Sequence, residues 1–329
     1  ESDWGANMLL NEVEQPGLGE RDQVSRSYWA ISFRRLLRKK IGVACLSIIV
    51  VMYGAGILAP VVTPYDYNDQ NLSIAKQGPS ITHPFGTDRL GRDQMTRIIY
   101  GLRTTVIITI VTLVTGSLAI GITMGLLAGY FGKYIDTLIM RVGEVTSAFP
   151  EIFLVLIIIS TVKAPVTKWV REIEDVVNFD IVSLGVVDYL VLSMALTIFS
   201  WFGMARLVRG QVLQVRENQY VEAARSIGAT TPRILFRHVL PNVMGPVIVT
   251  VSAGLAAVAG SEILLSFLGI GIQPPTPSLG LMIFENGSIS VLRSNPHLLL
   301  FPVLTLSVLL FTFNLLGDAV NDAFNPRAR

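Results

Sequence analysis

Six stretches of this chain are too long and too apolar to be dissolved in water: Ile41–Ala59, Thr104–Ala128, Met140–Val162, Tyr189–Leu207, Val243–Phe267 and Leu298–Leu316. A helix needs about 20 mainly apolar residues to cross the hydrocarbon core of a bilayer. Inside that core every backbone N–H and C=O must find a partner within the chain, so a single segment of this kind can cross only as a helix. The expected fold is therefore all-α and polytopic, with about six transmembrane helices. Charged residues make up 15% of the chain and mean hydropathy is +0.56, whereas soluble domains carry about 25% charged residues. The third stretch is the weakest, because Glu144 and Glu151 lie near or within it; both are read as structural, near its inner end beside Arg141. In the second, Thr112, Thr115, Gly116, Ser117, Gly121, Thr123 and Gly125 predict close packing on a neighbouring helix.

Orientation follows from Lys and Arg near the spans. Ser25–Lys40 holds Arg26, Arg34, Arg35, Arg38, Lys39 and Lys40 and no acid, with Tyr28, Trp29 and Phe33 interleaved. A basic collar at the inner end of the first span is expected, rather than a nucleic-acid patch. The first 24 residues are acidic apart from Arg21, which does not fit the basic start of a secretory signal. The segment between spans four and five carries Arg206, Arg209, Arg216, Arg225, Arg233 and Arg237 against Glu217 and Glu222, and is placed inside. The segment after span three sets Lys163, Lys168 and Arg171 against Glu172, Glu174, Asp175, Asp180 and Asp188, and is placed outside.

The Val61–Arg103 loop is placed outside by parity, against its arginines. Both ends of the chain, including Arg327 and Arg329, then face the cytoplasm. The expected organisation is a cytoplasmic tail over 1–40, a first transmembrane helix over 41–60 and an extracellular loop over 61–103. That loop contains an interfacial helix capped by Thr87 or Asp88. A core over 104–329 follows, with a cytoplasmic loop at 210–241 and an extracellular insert at 163–188, where Val166–Val177 has the spacing of a short surface helix. Gly271–Gly280 reads as a proline-stiffened outer loop.

The polar stretch Glu217–Pro241 has a logic of its own. Tyr220–Ile227 has room for two helical turns, and Gly228 is suited to end them in the left-handed conformation. Thr231 is expected to cap a second helix with Pro232 in its first position. Ala223 and Ala224 would be exposed, small enough for another protein to approach the backbone. Glu222 would supply a charge for a partner's cations or N–H groups. The bland alternative is an amphipathic loop between two spans.

Other chemistry is weakly represented. Cys45 stands alone in an apolar run, and His83, His238 and His297 are scattered, so no metal site is expected. The chain has no GxxxxGK[ST] phosphate loop, and HPFGTDRLGRD (His83–Asp93) has the wrong glycine spacing to replace one. Glu262 lies in an otherwise apolar stretch, either facing a pathway or partner, or packed near the helix's outer end. A transporter working alone would call for internal repeats and mid-span charges, and a membrane enzyme would need a catalytic constellation; neither pattern is found.

Glu222-Ala223-Ala224, then Gly228, then Leu240-Pro241 stand in the order and spacing of a signature that resembles the permease subunits of bacterial ABC importers. His238 occupies a position that is usually apolar. With His83–Asp93, Phe267–Gly280 and Phe313–Arg327, the chain from about Arg34 to Arg329 is similar to the C-type permease of the dipeptide/oligopeptide/nickel group, in which that His is unremarkable. The resemblance implies half of a translocation pore in a bacterial inner membrane, surrounded by lipid and paired with a second permease. It implies two ATPase subunits, which hold the ATP and Mg, and an extracellular substrate-binding protein. It makes Tyr220, Glu222, Ala223, Ala224 and Gly228 the ATPase-coupling element. The chain itself would be no enzyme. Peptides are the expected cargo, with nickel chelates or oligosaccharides as the alternative.

Overall fold

The computed structural model describes residues 28–177, 182 and 185–324. The acidic N-terminal stretch, Arg26, Asp180, Arg327 and Arg329 lie outside the described residues. Regular structure among the described residues is helical apart from one antiparallel bridge, Thr87 to Asp93. Six helices are long and apolar enough to cross a membrane: Lys40–Ile57, Gln94–Phe131, Glu151–Val176, Val186–Val215, Thr231–Phe267 and His297–Phe324.

Three of these differ from the sequence expectation, each for a local reason. The second span starts at Gln94, so no separate interfacial helix precedes it. Asp93, not Thr87 or Asp88, is the cap, accepting the N–H of Thr96 at 2.7 Å. Asp88 instead closes a turn by accepting the N–H groups of Leu90 and Arg92 at 2.8 and 2.9 Å. The third stretch is cut in two. Pro150 lacks an N–H and disfavours helix at the preceding residue, so one helix ends at Ser147 and another runs Glu151–Val177. The surface helix expected at Val166–Val177 is the continuation of that span. The fifth span starts twelve residues before Val243, at Thr231, because the loop's second helix flows into it through a π-helical turn at Ile234–Val239.

Spans two and four meet along a stripe of glycines. A Cβ on Gly116 would lie 1.9 Å from Ser200 Oγ, on Gly121 2.7 Å from Met204 Cβ, on Gly125 2.6 Å from Val208 Cβ and on Gly129 2.6 Å from Val212 Cβ. The step from Gly116 to Gly121 is five residues and falls in the π-helical stretch Leu113–Gly121. Hydrogen bonds there run i→i+5, while the later steps of four fall in ordinary α-helix, so the glycines stay on one face. Thr115 and Thr197 hydroxyls meet at 2.8 Å and Ser117 donates to the Ser200 carbonyl at 3.2 Å. Small residues and interhelical hydroxyls replace the hydrophobic effect, which gives little drive between helices in lipid.

Spans one, five and six share a second core around Cys45, Ile49, Leu309, Phe313 and Leu316. A short helix, Tyr28–Arg38, precedes the first span, and Leu36 buries itself beside Gly42 and Ala319. Lys39 Nζ lies 2.7 Å from Asp322 of the sixth span. The start of span one and the finish of span six therefore lie at the same end of the bundle.

Candidate functional site

The loop expected to matter most folds against that same end. Helix Gln219–Ser226 starts after Asn218, whose backbone is extended (φ −75°, ψ 143°). At its finish the Gly228 N–H donates to Arg225 O and the Ala229 N–H to Ala224 O, both at 3.0 Å, with Gly228 at φ +80°. This paired closure is a Schellman motif, and its left-handed residue is the reason a glycine stands there. The next helix is capped one residue earlier than expected. Thr230 is the extended N-cap residue (φ −66°, ψ 149°), and Thr231 and Pro232 are in the first turn.

The helix has two faces. Val221 and Ala224 are buried on Leu126, Val208, Val212, Ile234 and Val239. Ala224 is thus a packing residue, contrary to the expectation of an exposed alanine pair, because it sits three residues from Val221 on the face turned to the bundle. Tyr220, Glu222, Ala223 and Gly228 are exposed. Among the described residues no cation pairs with the Glu222 carboxylate. Ile227 is 85% exposed and Phe236 64%. Neither was singled out in the sequence.

The platform beneath is tied firmly. Arg216 Nη1 donates to Gly129 O at 2.9 Å, and the Arg225 guanidinium lies 5.7 Å over the Tyr130 ring. Arg209 forks onto Asp136, with Nη2 to Oδ2 at 2.6 Å and a second bond from Nε to Oδ1. Helix Lys133–Ser147 is held to span four in this way, and Phe202 fills the gap over Gly143. The loop thus sits on the converging finish of spans two and four and the start of span five.

The opposite end carries two polar knots. Asp88 Oδ2 accepts from Arg92 Nε at 2.7 Å and Arg97 Nη1 at 2.5 Å, all three side chains being buried. Burial raises the Asp88 pKa, but Arg97, then the bonds and charge of Arg92, outweigh it and hold the carboxyl below the ordinary aspartate value. His83 Nδ1 lies 2.9 Å from Asp93 Oδ1. Glu262 is fully buried, and its carboxylate accepts from Thr105 at 2.8 Å, Ser266 at 3.0 Å and Ser278 at 3.1 Å. It ties span two, span five and the start of helix Leu279–Asn286 together from inside the chain.

Glu144 pairs with Arg141 at 2.8 Å on an exposed surface. Glu151 does not join them: it opens the third span and lines small cavities with Thr112, Ser200 and Ser261.

The family model described as the binding-protein-dependent transport system inner membrane component matches residues 121–329. The chain belongs to that family. A model for the N-terminal transmembrane domain of oligopeptide transport permease C matches residues 27–79. A dipeptide transport system permease protein of Bacillus subtilis is 36% identical, over 98% of this chain and 92% of its own. An oligopeptide transport system permease protein of the same organism is 33% identical, over 94% of each chain. A glutathione transport system permease protein of Pectobacterium atrosepticum is 35% identical, over 94% of each. This permease is an integral membrane transport subunit, not an enzyme. The family match covers the helix Gln219–Ser226, its platform and spans four to six.

Proposed function

We propose that this permease forms one half of the translocation path of an ATP-driven peptide importer, and that helix Gln219–Ser226 is where ATPase subunits grip it. The observation that carries this is the two-faced helix itself. Val221 and Ala224 anchor it to three spans, while Glu222, Ala223 and Ile227 are left exposed, with no cation on the Glu222 carboxylate among the described residues. A push on such a helix is transmitted to spans two, four and five as a rigid unit, as alternating access by domain rotation requires.

The loop then faces the cytoplasm with both chain ends. A second permease completes the path, two ATPase subunits hold ATP and Mg, and an external binding protein delivers cargo. Peptide cargo is the reading that the dipeptide, oligopeptide and glutathione permeases support by their likeness. Glu262, enclosed by hydroxyls of its own chain, serves this reading as an internal tie rather than a pathway group.

The test is Glu222→Lys and Gly228→Val in the assembled transporter. Glu222→Lys reverses the exposed charge, and Gly228→Val forces a β-branched residue to φ +80°. Both variants are expected to insert normally, to lose peptide uptake and to retain less ATPase on purification. Wild-type uptake in both would refute the coupling role.

A further inference from the structure

Glu151 sits where an exposed carboxylate is hard to sustain. Its helix starts part-way along the bundle, not at its end. Glu151 lines one cavity of about 150 Å³ with Thr112, Ser200 and Ser261, and another of about 250 Å³ with Pro150 and Ser261. Ser200 fixes the depth. It lies twelve residues from Asp188 and six from Arg206, the charged residues that bound the apolar part of span four. At 1.5 Å per residue these are about 18 Å and about 9 Å, which together nearly make up the ~30 Å of bilayer hydrocarbon.

Glu151 is nevertheless exposed, and no cation among the described residues pairs with it. A carboxylate at that depth does not face lipid; such groups face a water-filled path or a charged partner. Three hydroxyl residues stand among the apolar side chains that line the smaller cavity beside it. The Thr112 hydroxyl is buried and has no hydrogen-bond partner among the described residues, and Ser200 and Ser261 border the same space. The first turn of a helix also favours a negative charge.

We infer that Glu151, with Thr112, Ser200 and Ser261, forms a cation-selective station in the translocation path that receives the free α-ammonium group of a peptide. This rests on the importer reading above. Cation attraction supplies what the apolar walls of spans three and five lack, a place for the charged amino terminus to pause without its water shell.

The station can be tested apart from transport. With Cys45→Ser as background, Ser261→Cys in the purified transporter is treated with cationic and anionic methanethiosulfonates of similar size. The cation is expected to react at least tenfold faster, and Glu151→Gln is expected to bring the ratio near one. A free-amine dipeptide should slow the labelling, while its des-amino analogue should not. A thiol that neither reagent reaches, a ratio indifferent to Glu151→Gln, or equal protection by both peptides would each overturn the inference. Uptake is measured in parallel: Glu151→Gln should lower dipeptide uptake at least tenfold while ATPase subunits remain bound, and unchanged uptake would also overturn it. Absent uptake by the wild type would instead count against the importer reading, leaving the labelling result to stand on its own.

Discussion

Gly125→Ala is the sharpest test of how spans two and four meet. The added methyl would stand 2.6 Å from Val208 Cβ and 2.7 Å from the Ala205 carbonyl oxygen. Neither atom moves by changing a rotamer, so the helices must part. Ordinary contact starts near 3.4 Å, which asks for about 0.8 Å of separation at a point where Gly121 and Gly129 are equally close. Overpacking of this kind costs about 1–3 kcal/mol, and alanine's better helix propensity returns about 1 kcal/mol. The expected net effect is a loss of ~0–2 kcal/mol. Gly203, in span four, has nothing within 4 Å of its own added methyl, so Gly203→Ala keeps only the favourable part, about 1 kcal/mol. The two variants should therefore differ by ~1–3 kcal/mol, or about 5- to 150-fold in the unfolding equilibrium. Reversible unfolding of the purified chain in mixed detergent micelles, followed by circular dichroism, measures that difference. Equal shifts in the same direction would refute the close contact.

Two further outcomes follow from the polar knots. Asp88→Asn leaves the buried Arg97 without its main partner and is expected to cost about 3–5 kcal/mol locally, seen as faster hydrogen exchange across Asn71–Asp93. Because the folded carboxyl titrates below the ordinary aspartate value, its stabilisation is complete above that range and is lost as pH falls through the lowered folded value; acid should loosen this segment in the wild type and change little in Asp88→Asn. Glu262→Ala deprives three buried hydroxyls of their acceptor, and at about 1–3 kcal/mol for an orphaned polar group it should destabilise strongly. Glu262→Gln, which still offers an oxygen, should cost less; equal stability of wild type and Glu262→Ala in the micelle assay would refute the internal tie.

Much of the architecture is legible because lipid makes hydropathy decisive. Each of the six apolar stretches lies within or overlaps one of the six long helices, and the glycines and hydroxyls of the second were readable as a packing face. Gly228 was legible as a helix stop for a local reason: a left-handed residue excludes most side chains. Boundaries were less legible. The early start at Gln94 is decided by which acid caps which turn: Asp88, expected as a cap, is claimed by Arg92 and Arg97, and Asp93 caps the helix instead.

Within the Glu217–Pro241 loop, the triplet Glu222-Ala223-Ala224 marks the place but not the faces. Ala223 and Ala224 are chemically identical, and only the seating of Val221 on spans two, four and five turns one outward and the other inward. Glu151 and Glu262 show the same limit in reverse. In one dimension both are acids near apolar runs, and Glu262 looked the more open to a pathway. Folding surrounds Glu262 with three hydroxyls and leaves Glu151 beside a cleft with no cation partner among the described residues. The sequence by itself determined a helical membrane protein with two capped helices in the loop before its fifth span, since those follow from hydropathy and local backbone chemistry. Which acid is sealed and which is open was decided only by tertiary structure, because burial is a property of what other spans bring alongside.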